Sequence, residues 1–154
     1  MSAPENMEID AQLQLTAIEL LKGSINLPGI PDVSFTDFIF NINLESRVDQ
    51  TKMLVYIITD VEIKNAEQTL TLGSLTSSCI FKIVNFADVV AITSDGLVDI
   101  PHQLLDILNS ISISTTRGLM FSAFKGTFLH NAFLPIIVPK QLGKTQESKR
   151  KTRK

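Results

Sequence analysis

The sequence predicts an α+β fold, a four-stranded antiparallel meander sheet with a long C-terminal helix packed on one face. Two observations place the sheet. Between residues 11 and 86 apolar and polar residues alternate in four runs, the period of a half-buried strand. The runs follow one another through short turn-forming stretches, and parallel neighbours would need long crossovers, so antiparallel pairing is expected. A third observation places the helix. Leu104, Ile107, Leu108 and Ile111 recur at three- and four-residue spacing after Pro101, which gives a helix one apolar face and a proline in its first turn. That face has a sheet to cover.

Taken in order, residues 1–10 are polar with three acids and read as a disordered N-terminus. The first strand runs from about Ala11 to Leu27; Ile18, Leu20 and Leu21 break its alternation, which points to a bulge. Pro28-Gly29-Ile30-Pro31-Asp32 is a loop. The second strand, about Asp37 to Ser46, sets Phe38, Phe40, Ile42 and Leu44 against Asn41, Asn43 and Glu45. In the third, Lys52 to Lys64, Met53, Val55, Ile57, Val61 and Ile63 share one parity. The fourth, Thr69 to Phe86, contains Gly73 as a bulge or a point of close approach. Leu54, Tyr56, Ile58, Ile80 and Phe86 leave apolar groups beyond what the helix can cover, so self-association is expected. The helix begins near residue 101. Ser110-Ile111-Ser112-Ile113-Ser114 alternates like a strand, and the longer periodicity favours helix through it.

The chain has 154 residues and 44% hydrophobic composition, enough for one domain with a real core. Nine Phe stand against no Trp and one Tyr, so most aromatic surface has no polar handle and is either buried or used to grip apolar partners. Charge is segregated: residues 1–139 hold 7 Lys/Arg and 15 Asp/Glu, while residues 140–154 hold 7 Lys/Arg and only Glu147. The basic tail, 140–154, reads as disordered and solubilising. Cys79 is the only cysteine and the N-terminus lacks a signal-peptide pattern, so the expected setting is cytoplasmic and Cys79 a packed side chain.

No catalytic constellation is visible. His102 and His130 are the only histidines, and neither has a second ligand at metal spacing. Glycine-rich phosphate loops and Gly-x-Ser-x-Gly are absent from the sequence, so neither enzyme activity nor a cofactor is expected. Lys and Arg are sparse outside the tail, which argues against nucleic acid. The helix is too short and polar to span a bilayer, which argues against membrane insertion. Binding through apolar surface is what remains.

Several strings in shared order resemble the SecB family of export chaperones over about residues 11–139. Ile100-Pro101-His102, Thr116-Arg117-Gly118, then Leu134-Pro135 and Pro139 are similar to the family's Phe-Pro-Tyr helix, its Arg-Gly end and its proline-rich connector. Cys79-Ile80-Phe81-Lys82-Ile83 resembles the Gly-Ile-Phe-x-Ile string of the fourth strand, and Phe40-Asn41-Ile42-Asn43-Leu44-Glu45 the alternating second strand. The resemblance implies a SecB-like chaperone domain at 11–139 and a homotetramer built as a dimer of dimers. It also implies a holdase groove for unfolded polypeptide clients, carried by Phe40, Ile42, Leu44, Leu72 and Leu75, with Phe35, Phe128, Phe133 and Leu134 at its rim. Two departures matter. Leu119 to Asn131 lengthens the link to the connector, and Pro139 with the Lys/Arg run replaces the family's second C-terminal helix and acidic tail. That tail helps export chaperones engage the SecA translocase motor, whereas SecB-like members of toxin–antitoxin systems hold an antitoxin partner; both settings are open to this chain.

Overall fold

A computed structural model describes residues 10–27, 29 and 37–137; most of the expected N-terminal segment, the loop residue Phe35 and the basic tail lie outside the described residues. Four long strands, β1 (Leu13–Ile25), β2 (Phe38–Asp49), β3 (Leu54–Asn65) and β4 (Thr71–Ile83), form one antiparallel sheet in the order β1-β4-β3-β2. The expected meander holds from β2 to β4. Strand β1 departs from it, pairing with β4 at the far edge. The connections explain the difference. Residues 50–53 and 66–70 are tight turns that hold β2, β3 and β4 as neighbours, whereas residues 26–37 separate β1 from β2, so no tight turn ties that pair.

The broken alternation of β1 has its structural counterpart in two register shifts against β4, between Leu15 and Ala17 and between Leu20 and Lys22. The β3–β4 turn is built on Asn65, whose Oδ1 accepts from the Thr69 and Leu70 amides at 2.9 Å each while Nδ2 donates to Glu67 and Thr69. Asn65 is buried, so its loss leaves two amides without their acceptor. Asn65→Ala is expected to cost about 1–3 kcal/mol, read as a lower urea midpoint at unchanged slope.

A short helix, α1 (Phe86–Val89), and a small hairpin, β5 (Ala91–Ile92) with β6 (Val98–Asp99), lead to helix α2 (His102–Ala123). Helix wins over strand in residues 110–116, and Pro101 caps the helix rather than entering its first turn. Helix α2 lies on β3 and β4. Two apolar clusters result. The proximal one joins Val55, Ile57, Cys79, Phe81 and Ile83 to Leu104 and Leu108 near the start of α2; the distal one joins Val61, Ile63, Leu72 and Leu75 to Ile113, Met120, Phe124 and Leu129. Cys79 is buried and unpaired, and desolvation pushes its thiol pKa up although Ser112 and Thr115 hydrogen bonds oppose the shift. That environment suits a packed side chain.

Two expectations about the apolar surface are corrected. Of the four residues read as one buried helix face, Leu104 and Leu108 are sealed, whereas Ile107 and Ile111 are 49% and 38% exposed. They point away from the sheet. Of the surplus apolar groups, Phe86 alone departs from expectation, being buried in the core; Leu54, Tyr56, Ile58 and Ile80 are half-buried on the sheet face opposite α2, as expected. Tyr56 stands beside Arg47, and Ile58 beside Glu45, on neighbouring β2; long charged side chains cover apolar neighbours with their stems. The surface left over lies on β1 and the back of α2, where Leu15, Ile18, Leu20, Leu21, Ile107 and Ile111 are exposed.

Candidate functional site

Strand β2 is an edge, and its pairing with β3 runs in unbroken register from Phe38 to Asp49. Phe40, Ile42 and Leu44 therefore stand opposite Ile63, Val61 and Thr59 on the face that α2 covers. The β3 residues are buried; Phe38, Phe40, Ile42 and Leu44 are half-buried because the helix stops short of them. Among the described residues, the result is an apolar ledge beside an unpaired backbone edge. The Phe38 and Phe40 rings lie 6.5 Å apart at 48°, within the range of favourable aromatic pairs.

The opposite wall of that edge is polar. A cleft of about 350 Å³ is lined by Phe40, Asn41, Ile42, Asn43, Asp60 and Glu62. Thr76 Oγ1 donates to Asp60 at 2.8 Å and Thr71 Oγ1 to Glu62 at 2.9 Å. An extended segment added here meets apolar side chains on one face and amides and carboxylates on the other, matching strand alternation.

Above the ledge, residues 124–137 fold back over the distal cluster. Leu129 and Leu134 are buried, and Phe128 packs against the same cluster. Arg117 ties this strap to α2: its Nε donates to Leu134 O at 2.9 Å and its Nη2 to Pro135 O at 2.8 Å. The residues that lengthen the link after Arg117-Gly118 thus finish the helix and supply Phe124 and Leu129 as plugs. Gly73 is the close-approach point that the sequence indicates. A Cβ there would lie 2.6 Å from Leu129 Cδ1 and 2.9 Å from Ser24 O.

The expected site residues therefore divide. Phe40, Ile42, Leu44 and Phe128 come together, half-buried, around one cluster. Leu72, Leu75 and Leu134 belong to its sealed interior. Phe133 is 53% exposed and stacks on Phe121 with rings 6.3 Å apart at 18°; Phe35 lies outside the described residues. The site gains Phe38, which shares the parity of Phe40, and Phe121, which helical spacing alone does not connect to Phe133. Among the described residues no group of three or more His, Cys, Asp or Glu could hold a metal ion, and no helix is long and apolar enough to cross a membrane.

No protein-family model matches the sequence, and no curated protein matches it. Among solved structures, the fold matches the SecB-like chaperone Rv1957 of Mycobacterium tuberculosis, solved in complex with a ChAD peptide from the Rv1956 HigA1 antitoxin. The match has a TM-score of 0.52 and 10% sequence identity, and covers 81% of this chain and 87% of that one. This chain, a four-stranded antiparallel sheet ordered β1-β4-β3-β2 with one long helix against it, thus shares the fold of a SecB-like chaperone.

Proposed function

We propose that the protein is an ATP-independent holdase that binds unfolded or aggregation-prone polypeptides along β2, with an antitoxin-type partner favoured over an export client. The observation that carries this reading is the half-buried row Phe38, Phe40, Ile42 and Leu44 beside an unpaired strand edge. The similar mycobacterial chaperone was solved with an antitoxin peptide. Without nucleotide chemistry such a protein acts by mass action, lowering the free concentration of the unfolded form. A cytoplasmic setting belongs to the same reading. Mixing the full chain with chemically unrelated unfolded proteins tests it: broad delay of their aggregation is expected, whereas a subunit that serves one fixed partner leaves them unprotected.

Assembly into a homotetramer is part of the proposal. The back of α2 carries Ile107, Ile111 and Ser114 at four- and three-residue steps, the spacing of a helix-packing seam. Beside it, Leu15, Ile18 and Leu20 of β1 project past the helix, 46%, 46% and 52% exposed. Apolar groups so arranged favour covering by further copies. Native mass spectrometry is expected to give four copies, and Ile107→Asp with Ile111→Asp is expected to shift the mass to smaller species at unchanged helix content. A wild-type monomer overturns the assembly and leaves the client reading to its own test.

A further inference from the structure

The core is divided by a row of hydroxyls. Thr59 and Ser77 of the sheet and Ser112 and Thr116 of α2 are all buried between the two apolar clusters. Ser77 Oγ and Thr116 Oγ1 bond each other at 2.7 Å, whereas Thr59 Oγ1 is buried with no hydrogen-bond partner. Within the helix, Ser112 Oγ donates to Leu108 O at 2.7 Å, Thr115 Oγ1 to Ile111 O at 2.8 Å and Thr116 Oγ1 to Ser112 O at 2.6 Å. Hydroxyl bonds to the carbonyl one turn back compete with the helix's own amides and bend helices where they cluster. Three fall within five residues, at the level where apolar packing against the sheet gives way.

Beyond that level, the strap belongs to the helix. The Phe124 amide donates to Met120 O, and the Thr127, His130, Ala132 and Phe133 amides donate to acceptors within residues 124–131. Arg117 holds the strap's far end to α2. This unit meets the sheet through apolar contacts of Ile113, Met120, Phe124, Leu129 and Leu134, and beneath them lie Leu72 and Leu75. Two of the residues that the family resemblance assigns to the client groove are thus sealed beneath the distal half of α2 and the strap.

Resting on the holdase reading, we propose that residues 112–116 are a hinge about which the distal half of α2 and the strap through residue 137 open as one body, exposing Leu72 and Leu75 as the floor of the client site. The closed form is then the resting state, and client affinity is the intrinsic affinity reduced by the fraction of open molecules. The hydroxyl row keeps the hinge loose, because its groups gain little from one another and Thr59 gains nothing.

The test replaces the row by apolar groups of similar shape, Thr59→Val alone and Ser77→Ala with Thr116→Val, in the full chain. Hydrogen exchange without any client is expected to slow at least tenfold over residues 117–134 and to stay unchanged at residues 104–108. Slowing by equal factors in both regions, or in neither, overturns the hinge. If Ser77→Ala with Thr116→Val does not fold, Thr59→Val decides. Binding of a fluorescent, reduced and carboxymethylated, permanently unfolded protein is expected to weaken in proportion to the slowed opening. Slowed exchange with unaltered binding overturns the floor assignment. Absence of binding by the wild type overturns the holdase reading instead, and the exchange data then judge the hinge alone.

Discussion

Phe40→Asp combined with Leu44→Asp is expected to abolish protection of unfolded proteins while the oligomer stays intact. Both side chains are half-buried on the β2 ledge beside the distal cluster, and Leu44 also touches the proximal one. A client side chain that buries its apolar surface against one of them gains about 1.5–3 kcal/mol, so losing one such contact weakens binding roughly 10- to 150-fold. Introduced carboxylates add a desolvation cost to any apolar segment that still docks. The measurement is light scattering of an aggregating protein titrated with variant, alongside circular dichroism to establish that the variant is folded. A folded double variant that protects as well as the wild type removes β2 from the site.

The second large effect is on stability. Gly73→Ala places a methyl group 2.6 Å from Leu129 Cδ1 and 2.9 Å from Ser24 O, and the latter is backbone of the paired strand. Leu129 is buried. Overpacking of this kind costs about 1–3 kcal/mol, a fall in melting temperature of roughly 3–10 °C for a chain of this size. A double-mutant cycle identifies the cause. In a Leu129→Ala background, itself destabilised by about 2–5 kcal/mol, the Gly73→Ala cost is expected to shrink, leaving only the clash with Ser24. Equal costs in both backgrounds place the strain at Ser24 and remove the plug role of Leu129.

Much of the sheet was legible because strand parity is a local property. Phe38, Phe40, Ile42 and Leu44 share a face by simple alternation, and their register with Ile63, Val61 and Thr59 follows from a short turn. The position of β1 was not legible, since no pattern within β1 says which strand it pairs with and no tight turn ties it to β2. Ile107 and Ile111 were misplaced for a related reason. Helical spacing groups them with Leu104 and Leu108, but the buried face of α2 runs through Leu104, Leu108, Asn109, Ser112, Ile113, Thr116 and Met120 and is turned away from Ile107 and Ile111 by the inclusion of polar residues that hydropathy does not mark. The candidate site divides along the same line. Its β2 members could be read from alternation, whereas the sealing of Leu72 and Leu75 depends on the strap folding back, through Arg117 and carbonyls 17 and 18 residues further along.

The two outer strands of the sheet differ in regularity, and that difference limits how far the sheet can grow. Strand β2 is straight in register over its whole length, so it can template an incoming extended segment. Strand β1 is interrupted twice and carries Lys22 at its second interruption, and bulges and lysine both discourage indiscriminate pairing. Two smooth margins would let one molecule's β2 stack on the next molecule's β1 without end, the head-to-tail geometry that yields fibres. With one margin spoiled, that stacking of one molecule on the next has no second smooth edge through which to propagate.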